Sequence, residues 1–190
     1  MARAVIAIEA LGLAYGASEL GLALLRRSKR TRASSHDQGT LGLVWIVVGA
    51  SIAAAFALAR STAFGRIPEG PWTDGIALGV FALGCALRAW SVLVLGRFFT
   101  VDVAIHSGHE LVRRGPYRLL RHPSYTGALL IFFGLGLQLH SGPALLVLVL
   151  PLLAVFLRRI QVEERALAQH FGAAWTAHCE RTWRLVPGLW

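Results

Sequence analysis

RRGPYRLLRHPSYTG, Arg113 to Gly127, stands directly before an apolar run and holds two of the chain's strongest turn signals. Gly115-Pro116 marks a turn, and Pro123 suits the first position of a helix, where its missing N–H costs nothing. Proline also restricts the residue before it, so His122 is expected at the mouth of that helix and not inside it. Arg118, Arg121, His122 and Tyr125 fall at i, i+3, i+4 and i+7, a spacing that puts them on one face of any helix formed here. Four polar groups then converge where a membrane helix begins. The same segment also reads as a basic membrane flank with an aromatic anchor, and spacing by itself does not choose between the two.

Outward from this segment the chain is a series of apolar runs. Of its 190 residues, 55% are hydrophobic and 15% charged, and the mean hydropathy is +0.57, on the apolar side of a soluble domain. Downstream lie two short runs, Ala128–Leu139 and Ala144–Leu157, split by a polar stretch that includes His140, Ser141, Gly142 and Pro143. Each falls short of the ~20 residues a span needs, but each lengthens at its basic end, back to Pro123 and on through Arg159. They read as a helical hairpin, with Pro151 kinking its second arm. From Arg158 the pattern turns amphipathic, as suits an interfacial cytoplasmic helix. Upstream, Ala4–Leu25, Leu41–Ala59 and Ile76–Leu95 read as three further spans, the first a retained helix and not a cleaved signal. Arg60–Asp74, with Pro68, Gly70 and Pro71, reads as an irregular loop that places Trp72 near the interface. The expected fold class is an all-α integral membrane protein of about five transmembrane helices, with a C-terminal helical hairpin and an amphipathic cytoplasmic helix. Residues 1–96 form its three-helix N-terminal region and 97–190 its core.

Nineteen Lys and Arg against ten Asp and Glu give a net charge of +9. The basic residues flank apolar runs instead of forming one stripe, which argues against a nucleic-acid partner. Five lie after each of spans one, three and five (26–32, 97–121 and 158–184), so 15 of 19 fall on one side. The positive-inside rule then sets the N-terminus outside, the C-terminus in the cytoplasm and the Arg113–Gly127 segment on the cytoplasmic side. Arg88 lies inside the third span and needs a partner, for which Glu19 and Glu9 are the candidates. Asp102, His106 and His109 have helical spacing but no supporting ligand, and Cys85 and Cys179 lack metal-ligand spacing, so no metal is assigned.

A hairpin brings its two basic ends together, so Arg121–Tyr125 faces Arg159–Glu164. Arg159 and Glu163 share one helix face, and Glu163 and Glu164 point about 100° apart, one toward the hairpin and the other away from it or toward solvent. The result is a mixed-charge pocket at the membrane interface, open to water-soluble and lipophilic ligands alike, or else a lattice of interfacial ion pairs.

In combination, GPYRLLRHPSYTG, the later RIQVEERALAQHFGAAW and the final RLVPGL resemble the isoprenylcysteine carboxyl methyltransferase family, which belongs to a wider group with the phospholipid N-methyltransferases. The resemblance covers roughly residues 96–189, and the first three spans carry no matching motif. It implies an integral membrane enzyme that uses S-adenosyl-L-methionine without a Rossmann-like domain. No glycine-rich G-x-G-x-x-G turn after a strand occurs here, which agrees. By the resemblance, His122 and Tyr125 line the cofactor site, Leu111 and Val112 precede it, and Gly115, Pro116 and Tyr117 form the turn that closes over it. Glu164, with Glu163 beside it, holds the methionine ammonium, and Arg159 of RxxxEE orients an anionic acceptor. The chain departs from the family at Trp175 and His178, where tyrosines often follow the FG of the C-terminal helix.

The implied chemistry suits such a place. Methyl transfer from a sulfonium to a carboxylate annihilates opposite charges, which a water-poor cavity favours. An ionised carboxylate needs no general base, so positioning by Arg159 would carry most of the catalysis, with Glu164 holding the donor. A phospholipid amine or a thiol acceptor would need a proton removed, with His122 or a glutamate to take it. The expected partners are membrane lipids and a lipophilic small-molecule or lipidated substrate. Two other classes stay open, an NADPH-dependent sterol-reductase-like enzyme and a non-enzymatic membrane scaffold.

Overall fold

The computed structural model describes residues 40–99 and 110–189, with positions 12, 15–17, 19 and 21 of the N-terminal region, all of them helical. The expected first span and the Asp102, His106 and His109 group fall largely or wholly outside the described residues. Helix α1 (Thr40–Ser61) and helix α2 (Pro71–Leu95) are long and apolar enough to cross a membrane. Helix α3 (Pro123–Gln138) has 16 residues, and α4 (Gly142–Phe171) has 30, or about 45 Å of helix, again long and apolar enough to span. A short α5 (Ala173–Cys179) follows. The described residues are mostly helical, with only isolated bridges between extended positions.

Helix α1 packs along α4, α3 packs against α4, and α2 packs along α3, which sets the four long helices in the order α1, α4, α3, α2. The α2–α3 contact depends on small residues. A Cβ on Gly84 would lie 2.7 Å from the Gly127 carbonyl, and one on Gly134 would lie 2.8 Å from the Ala77 carbonyl, so the two backbones touch directly. Where α1, α3 and α4 meet, Ala55, Phe132, Leu148, Leu152 and Phe156 form the buried apolar core.

Three expectations need correction. The loop after α1 is shorter than Arg60–Asp74, because α1 runs to Ser61 and Pro71 opens α2, where its missing N–H is harmless. The amphipathic segment from Arg158 is not a separate surface helix; it continues α4 through Pro151 without a break, and a new helix begins only after Gly172. Arg118 does not share a face with Arg121, His122 and Tyr125. Gly115–Arg118 is a 3-10 turn, so Arg118 points outward while the others lie at the entrance of α3. Gly115 has φ +57, the left-handed region that glycine adopts without penalty, and a side chain there would also strike Val94.

The C-terminal tail fastens this entrance. Arg121 N–H donates to the Trp183 carbonyl at 2.7 Å, His122 N–H to Arg184 at 3.1 Å, and Trp183 N–H to Leu119 at 3.0 Å. Thr126 Oγ1 donates to the Leu185 carbonyl at 2.7 Å. RLVPGL therefore acts through its backbone as well as through Arg184.

Candidate active site

His122 is the N-cap residue of α3 and Pro123 stands at its first turn, as the proline rule requires. The Arg121–Tyr125 entrance meets the basic end of α4 through two separate sets of bonds. Glu164 accepts from Arg121 Nε at 3.0 Å and from Arg184 at 3.1 and 2.7 Å, and its Oε1 lies 3.2 Å from His122 Nε2. Its side chain is only 14% exposed. Arg121 also donates to the carbonyls of Cys179 and Thr182, so Glu164 sits at the centre of a knot joining α3, α4 and the tail. It does not face away from the protein.

Glu163 has the other environment. Its carboxylate accepts one hydrogen bond from the Tyr125 hydroxyl at 3.1 Å, its side chain is 33% exposed, and it lines a cavity of about 600 Å³. Arg159 is buried; its Nε donates to the Tyr125 oxygen at 2.9 Å and its Nη1 to Thr40 Oγ1 at 2.9 Å, linking α4 to α3 and α1. Tyr125 thus bridges Arg159 and Glu163.

Of the residues singled out in the sequence, Leu111, Val112, Tyr117, His122, Tyr125, Arg159 and Glu163 line this cavity; Gly115, Pro116 and Glu164 are not part of its lining. Tyr117 is buried, and burial, followed by the Glu163 carboxylate, pushes its phenol well above the usual range, so it is a neutral donor. His178, also buried, is held below the ordinary imidazole range, first by burial and then by Arg113, Arg121 and His122. Trp175 and His178 both border the same space.

Arg88 has the partner its depth demands. Its guanidinium pairs with Glu19 through two nitrogens, and Nη1 donates to Ser124 Oγ at 2.8 Å and to the Ser124 carbonyl at 3.2 Å. The pair lines the cavity and ties Glu19 and α2 to the entrance of α3. Away from this polar end, the wall is formed by apolar residues such as Trp45, Ile52, Phe132, Leu135 and Leu148. It extends along α3 from Ser124 to Gln138, about 20 Å of helix.

Sequence reasoning missed Arg184 and Thr40 as partners of the charged groups. The first was legible only as part of RLVPGL. The second is a polar residue opening an otherwise apolar helix, and no spacing rule connects it to Arg159.

Long apolar helices around a cavity that is charged at one end and largely apolar along its length define a polytopic membrane protein. The chain belongs to the phospholipid methyltransferase family, which matches residues 72–174. It is 30% identical over 118 residues to protein-S-isoprenylcysteine O-methyltransferase B of Arabidopsis thaliana, covering 61% of this chain and 60% of that one. It is 29% identical over 143 residues to a probable protein-S-isoprenylcysteine O-methyltransferase of Oryza sativa subsp. indica, covering 74% and 75%. Among solved structures it resembles a eukaryotic intramembrane Ras methyltransferase, the isoprenylcysteine carboxyl methyltransferase. There the TM-score is 0.59 and the identity 26%, over 77% of this chain and 53% of the other. The match to the Arabidopsis protein and to the solved chain thus spans only a little over half of each.

Proposed function

We propose that this chain is an integral membrane S-adenosyl-L-methionine-dependent methyltransferase that esterifies the carboxylate of a lipophilic, isoprenylcysteine-like acceptor at the cytoplasmic face. The observation that carries this reading is one cavity that joins a charged chamber at Glu163 to an apolar trough along α3. A polar donor and a lipid-like acceptor both find a matching wall there. The reading includes five spans, with residues 4–25 as the first and the α3–α4 pair as the C-terminal hairpin.

The chamber fits the cofactor. Glu163 offers a partly exposed carboxylate for an ammonium, and Tyr117 offers a neutral hydroxyl with no hydrogen-bond partner among the described residues. When bound, S-adenosyl-L-methionine supplies a methyl group activated on a sulfonium. Leu111 and Val112 add apolar wall, while Gly115 and Pro116 shape the turn that presents Tyr117. Of the acidic pair, we assign ammonium binding to Glu163, because Glu164 is already paired with both Arg121 and Arg184. Arg159 places positive charge where the polar chamber meets the trough and orients the acceptor carboxylate. The apolar wall excludes water, so an anionic acceptor there is weakly solvated and needs no base.

The family match also favours a second acceptor class, a phospholipid amine. One assay separates the two. Purified protein in lipid nanodiscs is given methyl-labelled S-adenosylmethionine with either N-acetyl-S-farnesylcysteine or phosphatidylethanolamine. Base-labile label on the first supports carboxyl methylation, base-stable label on the second selects the amine reading, and label on neither refutes both.

A further inference from the structure

Trp175 and His178 are where the chain departs from the family pattern, and the structure places both in the cavity wall. They lie one helical turn apart on α5, with ring centroids 5.8 Å apart and planes inclined at 50°. Trp175 is 7% exposed and His178 6%. Neither side chain has a hydrogen-bond partner among the described residues. Yet the one fully enclosed side-chain polar atom lacking a partner there is Gln138 Oε1. The indole and imidazole nitrogens are therefore not fully enclosed, and both residues line the same cavity as His122 and Glu163. Two deeply buried aromatic residues with unsatisfied nitrogens facing a cavity are costly unless a ligand completes them.

We propose that Trp175 and His178 form the nucleobase subsite of this chamber and recognise the adenine of the methyl donor, an inference that rests on the methyltransferase reading above. Adenine offers a flat face and an edge on which an acceptor ring nitrogen adjoins an amino donor. The indole N–H and the bare nitrogen of a neutral imidazole are the complementary pair. With Glu163 taking the ammonium, the two ends of the donor are held by α5 and α4. α5 is fixed in turn by Arg121, which binds the Cys179 carbonyl, and by Arg113, which binds that of Ala174 at 2.9 Å. Protonation of His178 would remove its bare nitrogen, and burial first, then Arg113, Arg121 and His122, oppose that.

The test is a binding experiment. S-adenosylhomocysteine and its 6-deamino analogue, which lacks the exocyclic amine, are titrated calorimetrically into the full chain in detergent. The wild type is expected to bind the adenine form about tenfold more tightly, the equivalent of one hydrogen bond. His178→Phe keeps ring and volume and should bind both ligands alike, while His178→Asn, which retains an acceptor, should keep part of the preference. Equal affinity of the wild type for the two ligands overturns the inference, whatever the variants do. Undiminished discrimination by a monodisperse His178→Phe overturns it as well. Failure of the wild type to bind either ligand defeats the methyltransferase reading itself, and the inference with it.

Discussion

Glu163 and Glu164 are adjacent, yet their removal should have opposite consequences. Glu164 is 14% exposed and binds Arg121, itself 9% exposed, and Arg184, 17% exposed. Glu164→Ala removes the carboxylate that these two largely buried guanidinium groups share, and breaking a buried ion pair costs about 3–5 kcal/mol. Arg121 keeps two carbonyl acceptors, at Cys179 and Thr182, so the lower end applies. A loss of about 3 kcal/mol corresponds to a fall of roughly 6–12 °C in melting temperature for a chain of this length. Glu163→Ala removes one hydrogen bond from Tyr125 at a partly open position, so it should cost about 1 kcal/mol. Thermal unfolding in detergent, followed by size-exclusion recovery after heating, reads both. If Glu164→Ala melted within 2 °C of wild type (a shift of less than about 1 kcal/mol) while Glu163→Ala collapsed, the division of labour argued here would be wrong.

Further predictions concern the helix contacts and titration. Gly84→Leu should destabilise the chain by about 1–3 kcal/mol or more, because even its Cβ meets the backbone of α3; an unchanged melt would mean that α2 and α3 do not touch. Glu19→Ala should cost about 3 kcal/mol by leaving Arg88 unpaired, and Arg88→Ala/Glu19→Ala should recover most of it, a non-additivity that a double-mutant melt detects. His178 has a folded-state pKa below its ordinary value of 6.5, so the folded form binds fewer protons than the unfolded one. Its contribution is therefore present above pH 6.5 and lost as pH falls through the folded-state pKa, and His178→Phe should flatten that limb of a melting-temperature profile.

What the sequence made legible was local. Pro123 placed the start of α3 and His122 at its mouth, because proline geometry acts over one residue. Arg88 demanded a carboxylate, and Glu19 supplies it, because an unpaired charge at that depth is too costly. What was not legible came from pairings without a periodic signature. The tail binds Leu119–His122 through backbone N–H and C=O groups, which any sequence carries. Periodicity separates Glu163 from Glu164 by about 100° but does not say which faces the cavity. That depended on Arg184, which folds back across 20 residues to neutralise Glu164. At the other end of α3, Asp74 accepts from Gln138 at 3.3 Å and lies 3.0 Å from His140 Nε2, a cross-loop cluster that no motif announces. Arg118 was misread because a 3-10 turn replaced the expected α-helical register.

The most direct test of the central claim is calorimetric titration of S-adenosylhomocysteine into the detergent-purified chain, its Glu163→Gln variant and its Glu164→Gln variant. The account predicts saturable binding by the wild type and a loss of at least tenfold with Glu163→Gln. Whatever Glu164→Gln protein stays folded should still bind. Wild-type protein that does not bind, or binding that Glu163→Gln leaves intact while folded Glu164→Gln loses it, would contradict the account.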